Sequence, residues 1–249
     1  MNTTRGIPVD LVLPVYNEAH VLERSVARLS EALSAVEDFA WRIIVVDNGS
    51  TDDTAAVGRR LAERLESVRL LHLDEKGRGL ALRRAWNETD AEFSIYMDVD
   101  LSTDLRAVAE TVALLRQGAD LVTGTRLHRD STITRCLKRE VLSRGYNRLI
   151  RWLLHTRTFD DAQCGFKGVR LATIRRLLPL VEDQHWFFDT ELLVLAEYAG
   201  LDVRNLPIRW IEDLDSRVNI PQTVWRDLKG LARLRRTARH KAEQFRSAR

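Results

Sequence analysis

The chain of 249 residues is poor in the residues that build specialised scaffolds. Its two cysteines, Cys136 and Cys164, cannot make a disulfide framework or a four-thiolate metal site. Five prolines and twelve glycines, scattered without a period, exclude collagen-like and low-complexity architectures. No run approaches the roughly 18–20 uninterrupted apolar residues that would cross a bilayer. The polar stretch 1–9, with Pro8 inside it, is not read as a secretory leader, so the cytoplasm is the expected compartment. What is present is the balance of a folded soluble protein, 45% hydrophobic and 30% charged.

The formal charge of +3 hides an asymmetry. Residues 226–249 carry nine Lys or Arg against two acids, which leaves 30 bases and 34 acids in residues 1–225. A mildly acidic body with a basic end points to an anionic surface, nucleic acid or phospholipid headgroups, with a solvated helix face as the plain alternative.

Apolar runs alternate with amphipathic stretches through the first half. Short strands are expected around 9–13, 43–46, 68–73, 93–97 and 120–124. Helical spacing follows at 17–33, 52–65, 77–86 and 104–115, with Asp104 suited to cap the last of these. A basic amphipathic helix is expected over 135–154, a loop or edge element over 160–168, a helix over 189–198 and a strand near 203–208. This alternation predicts one α/β domain over 1–220, a mostly parallel sheet with helices on both faces, followed by a basic amphipathic helix over 221–249. In such sheets ligands bind beyond the carboxyl ends of the strands.

Those ends carry the unusual residues. Asp98-Val99-Asp100 follows the fourth strand, and in extended chain the two carboxylates point the same way, as hard oxygen ligands for Mg²⁺ or Mn²⁺. Pro14-Val15-Tyr16-Asn17-Glu18 follows the first strand, where Tyr16 can lie against a base. Asp47-Asn48-Gly49-Ser50 follows the second, a turn whose Asp47 can accept from a base or ribose. Gly77-Arg78-Gly79 opens a helix, a place for phosphate to approach backbone. No G-x-G-x-x-G after the first strand and no phosphate-loop signature occur, which disfavours a dinucleotide fold and a phosphate-loop ATPase.

In this order the motifs resemble those of inverting family-2 glycosyltransferases with the GT-A fold. Gly124-Thr125-Arg126, Asp161-Ala162-Gln163-Cys164-Gly165-Phe166-Lys167, Trp186-Phe187-Phe188-Asp189-Thr190-Glu191 and Pro207-Ile208-Arg209-Trp210 narrow the likeness to the polyprenyl-phosphate group, closest to its dolichyl-phosphate glucosyl branch. The chain departs from that group at Glu75, where Asn is common, and at Arg217, where Lys is usual. Ser102 stands where mannose synthases carry Gln.

The resemblance implies inverting transfer of a hexose, with UDP-glucose favoured over GDP-mannose, to a polyprenyl phosphate. It assigns the nucleotide sugar to Pro14, Tyr16, Asn17, Glu18, Asp47, Gly49, Ser50, Gly77, Arg78, Gly79 and the segment Asp98-Val99-Asp100. Asp98 and Asp100 hold the metal, and together with Asp161 and Asp189 make the expected catalytic set. Arg126, Arg139, Ser143, Gln163, Lys167, Glu191 and Arg217 are expected at the acceptor or diphosphate. A transferase acting on a sugar hydroxyl would need a base instead, for which Asp189 is the candidate. His72 and His185 are expected to be structural.

In the terminal helix, Val224, Leu228, Leu231, Ala238, Ala242 and Phe245 form a narrow apolar stripe ringed by cations. This reads as a peripheral anchor on the cytoplasmic membrane face or a contact with a membrane subunit; a helix packed back on the body is the other reading. Nucleic acid is not expected as a partner, since Trp225 and Phe245 alone are available for stacking and Asp98-Val99-Asp100 would have no role.

Overall fold

A computed structural model describes residues 6–134, 137–211 and 220–248. Its first half is β1 (Ile7–Val15), α1 (Ala19–Ser34), β2 (Phe39–Asn48), α2 (Thr54–Arg64), β3 (Val68–Leu73), α3 (Arg78–Asn87), β4 (Phe93–Met97), α4 (Arg106–Arg116) and β5 (Leu121–Thr125). There follow β6 (Thr132–Thr134), α5 (Leu137–Leu154), β7 (Phe166–Arg170), α6 (Leu171–Leu177), α7 (Phe188–Tyr198), β8 (Val203–Pro207), β9 (Arg209–Ile211) and α8 (Ile220–Ser247). Seven strands form one sheet in the order β3-β2-β1-β4-β7-β5-β8, and β6 pairs with β9 in a separate ribbon. The expected strands are all present, and Asp104 Oδ1 accepts from Arg106 N at 3.0 Å at the start of α4.

Apolar runs that continue through a strand divide between two faces, because successive side chains point opposite ways. Leu11, Leu13, Ile43 and Val45 join the core under α1, α2 and α4. Val12, Ile44, Val46 and Tyr96 join the core under α3, α6, α7 and α8. A buried two-sided parallel sheet demands this nearly unbroken hydrophobicity.

Two expectations change. The segment read as a loop or edge contains β7, which runs antiparallel between β4 and β5 in the middle of the sheet. The terminal helix packs back on the body: Leu231, Leu234, Ala238, Ala242 and Phe245 are all buried against it. Most of the stripe that suited a membrane interface is therefore consumed by the core, and only Val224, Trp225 and Leu228 at its start are exposed. Among the described residues no helix is long and apolar enough to cross a membrane.

Candidate active site

The carboxyl ends of β3, β2, β1 and β4 lie side by side, and each turn there is fixed by side chains of its neighbour. Asn17 adopts a left-handed conformation (φ 56°), which Asn tolerates better than most residues. Its backbone N–H donates to Ser50 Oγ at 2.9 Å, and its Oδ1 accepts from Thr51 N at 2.8 Å. Glu18 N donates to Thr54 Oγ1 at 2.8 Å. Asn17 and Ser50, expected at the nucleotide, thus knit the turn after β1 to the turn after β2, where Gly49 supplies the positive φ of 69°. Pro14 sits in β1 opposite Val46, and Lys76 Nζ lies 3.4 Å from the centre of the Tyr16 ring.

Asp47 is wholly buried at the end of β2. Its Oδ1 accepts from Ser50 N at 3.2 Å, and its Oδ2 lies 2.7 Å from His72 Nδ1 on β3, its register partner. His72 therefore belongs to the same edge, where it supports Asp47. No motif could have announced it; only strand register brings it there.

The glycines that open α3 have a packing reason beside the one expected. A Cβ on Gly77 would meet Gln184 O at 2.6 Å, and one on Gly79 would meet Phe188 at 2.7 Å. Gly77 N donates to Asn48 Oδ1 at 2.8 Å, and Leu80 N to Gln184 O at 3.1 Å. Both glycines make room for the segment leading into α7, and part of the helix N-terminus is already satisfied by protein.

Below this edge runs a buried ladder of charge. Arg78 Nη1 donates to Asp98 Oδ1 at 2.7 Å, and its Nε lies 3.5 Å from Asp189 Oδ2. Its guanidinium is 5.1 Å from the Tyr96 ring centre and 5.0 Å from that of Trp186. Tyr96 OH donates to Asp189 Oδ1, and Lys167 Nζ donates to Tyr96 OH at 3.1 Å. Burial would lower the Arg78 pKa, but Asp98 first, then Tyr96 and Asp189, more than offset this and raise it. Burial, with Asp189 beside it, keeps Tyr96 protonated well above its usual range.

Lys167 is a correction. Its place in central β7 makes it fully buried, with Nζ also donating to Cys164 O at 2.7 Å and Ala162 O at 3.3 Å. It braces the site from inside and does not reach an acceptor. Asp189, 4% exposed and enclosed by the same ladder, has the surroundings of a positioning group more than of an open base.

Asp98 and Asp100 fit a divalent cation in donor chemistry. Both are oxygen donors on a tight turn, and Asp98 remains 31% exposed at the side chain. Asp100 Oδ1 accepts from Ser102 N at 2.9 Å, and Val99 between them is buried. Gly165 completes the cradle: a Cβ there would fall 1.9 Å from Asp98 Oδ2. Among the described residues no group of three or more His, Cys, Asp or Glu is gathered for a metal, so water and phosphate oxygens would complete the shell.

Toward β5 and β7, Arg126 Nε and Nη2 donate to the two carboxylate oxygens of Asp161 at 2.7 and 3.1 Å. Asp161 is fully buried; burial would raise its pKa, yet the charge and hydrogen bonds of Arg126 hold it below the usual carboxylate range. Arg126 also lies over Trp210 at 5.0 Å. Gln163 Nε2 donates to Asp227 Oδ2 on α8 at 2.9 Å. Ser143 is buried on the inner face of α5. Glu191 is another correction: it is fully buried and accepts from Arg233 Nη2 at 2.6 Å, Lys241 Nζ at 3.0 Å and Asp183 N at 2.9 Å. It clamps α8 to α7 and does not face an acceptor. The Arg139 side chain and Arg217 lie outside the described residues. Cys164 is an inert thiol, pushed up to about 12 by burial.

A mostly parallel sheet with a paired-carboxylate turn and buried guanidinium groups along its carboxyl edge defines a glycosyltransferase of the GT-A fold. The chain belongs to glycosyl transferase family 2, whose model matches residues 10–176. It is 39% identical over 225 residues to the glycosyltransferase AglD of Haloferax volcanii, a match covering 89% of this chain and 36% of that protein. The chain thus spans about a third of AglD. With the dolichyl-phosphate beta-glucosyltransferase of Drosophila melanogaster it shares 30% over 235 residues, 88% of this chain and 72% of the relative. Glucosyl-3-phosphoglycerate synthase from Mycobacterium tuberculosis, solved with Mn²⁺ and UDP-glucose, shares the fold, with a TM-score of 0.67 at 19% identity over 92% of this chain and 79% of that one.

Proposed function

We propose that the chain transfers glucose, with inversion, from UDP-glucose to a dolichyl-type polyprenyl phosphate at a membrane surface. The observation that carries this reading is the Arg126–Asp161 pair: a cation fixed through two hydrogen bonds at the same sheet edge as Asp98 and Asp100. A fixed cation suits an acceptor that is already an anion. The names of the relatives, dolichyl-phosphate beta-glucosyltransferases among them, support the same acceptor.

In this reading Tyr16 and Asp47 receive the nucleoside, and Arg78 supplies donors toward the diphosphate. Asp98 and Asp100 hold Mg²⁺ or Mn²⁺, whose charge, when bound, neutralises the leaving diphosphate. An acceptor phosphate oxygen steadied by Arg126 attacks the anomeric carbon from the far side. The bond from that carbon to the diphosphate breaks, its electron pair leaves with UDP, and the configuration inverts. The nucleophile is charged from the start, so no side chain has to remove a proton.

Radiolabelled UDP-glucose and GDP-mannose, each incubated with polyprenyl phosphate and Mn²⁺, test this directly. Label from UDP-glucose should partition into organic solvent, and EDTA should stop it. Faster transfer from GDP-mannose would overturn the donor; label moving only to a soluble saccharide would overturn the acceptor and return Asp189 to consideration as a base.

A further inference from the structure

We propose that the outward faces of α5 and the first turns of α8, bearing Val141, Leu142, Trp152, Val224, Trp225 and Leu228, are a docking surface for an anionic lipid bilayer. The inference rests on the lipid-phosphate acceptor proposed above and names the surface that would bring the site to it.

Six of the eight exposed large hydrophobic residues among those described are these six. Trp152 is 73% exposed and Trp225 60%, against a core that buries most residues of this size. The two helices pack against each other, with Tyr146 of α5 facing Asp227 of α8. Leu142 lies one turn before Tyr146, Val224 one turn before Asp227, and Leu228 next to it, so the apolar residues flank the crossing. Along α5 the exposed positions Val141, Arg144, Arg148 and Trp152 follow at spacings of three and four, which is one stripe.

The charge around these residues is predominantly positive. Arg148, Arg226 and Lys229 are exposed, as are Arg144, paired with Glu140 at 2.6 Å, and Arg151, 3.9 Å from Asp160, while Asp227 is buried. Lys229 Nζ lies 5.0 Å from the Trp225 ring centre. Tryptophan with an apolar body and a polar edge, interleaved with arginine, matches the boundary between headgroups and acyl chains. This complementarity selects an anionic bilayer over a protein partner. The crossing also adjoins the site: Asp227 accepts from Gln163, two residues from Asp161 and two from Gly165.

Flotation of the full chain with neutral phosphatidylcholine vesicles and with vesicles containing phosphatidylglycerol tests the proposal. Wild type should float with the anionic vesicles only, reversibly in high salt, with a blue shift of tryptophan emission. Trp152→Glu combined with Trp225→Glu should reduce flotation roughly tenfold or more while leaving the melting temperature near wild type, because both side chains are exposed. Arg24→Glu with Arg28→Glu, exposed on α1 across the sheet, should float like wild type. A water-soluble short-chain prenyl phosphate separates this from the catalytic reading: the double tryptophan variant should keep transfer to it and lose transfer to vesicle-embedded acceptor. Wild type that floats but transfers to neither acceptor would sink the proposed function and leave the docking surface standing. Equal flotation of the tryptophan variant and wild type, or no flotation of wild type with anionic vesicles, would overturn the surface.

Discussion

Asp98 is held from two sides, by the Arg78 guanidinium at 2.7 Å and by the backbone of Gly165, whose missing side chain leaves the space Oδ2 occupies. A methyl group at residue 165 cannot fit without turning that carboxylate away. Gly165→Ala should therefore lower kcat by about 100-fold and abolish the rise in melting temperature with Mn²⁺, while circular dichroism stays native. Unchanged turnover in this variant would remove Asp98 from the metal site. On the proposed reading, in which Asp47 receives the nucleoside, His72 acts through Asp47, 2.7 Å away. With one hydrogen bond lost, worth about 0.5–1.5 kcal/mol, His72→Phe should raise KM for the donor several-fold at nearly constant kcat. A fall in kcat with KM unchanged would contradict that assignment.

At the scale of elements, α8 is fastened by ions as well as by its apolar stripe. Glu191 is fully buried, and removing it leaves Lys241, only 10% exposed at the side chain, without its inner partner. Loss of one member of a buried pair costs about 3–5 kcal/mol, and the partial exposure of Arg233 argues for the lower figure. Urea unfolding of Glu191→Ala should show a loss near 3 kcal/mol. The periodicity of α8 was legible in the sequence, but not its partner, since a stripe built from Leu231, Ala238, Ala242 and Phe245 suits a lipid surface and a protein core equally well. The strands of the first half were legible for the same reason the sheet is buried: both faces need apolar side chains, so the runs are unbroken. β7 was not, because Phe166-Lys167-Gly168-Val169-Arg170 mixes two cations with a glycine. Its lysine is tolerable inside only because Cys164 O, Ala162 O and Tyr96 OH converge on Nζ, a fact of three dimensions. The acidic pair at Asp98 and Asp100 was visible because its strand end is local in sequence, whereas the packing reason for Gly77 and Gly79 was not, because their neighbours, Gln184 and Phe188, lie about a hundred residues away.

For the molecule as a whole, stability should respond to Asp227. An unfolded aspartate titrates near 3.8, whereas burial, aided by the charge of Asp183, pushes this carboxyl up to about 7 in the fold. Across that window the folded state keeps a proton that the unfolded state has lost, so this group's contribution makes stability fall as pH rises and level off above 7. Asp227→Asn retains an acceptor for Gln163 without the titration. Its melting temperature should vary less steeply than wild type between pH 4 and 7; identical slopes would refute the assignment.

The antiparallel β7 also imposes an order on folding. Strands β4 and β5 flank it, yet β7 is synthesised last of the three, after α5, so their facing edges wait for residues 166–170. Until it arrives, the parallel set β3-β2-β1-β4 lacks the partner of its β4 edge, which is a template for pairing with another chain. Stalled chains whose residues 166–170 have not left the ribosome should be protease-sensitive and prone to self-association, and extension far enough to release that segment should relieve both.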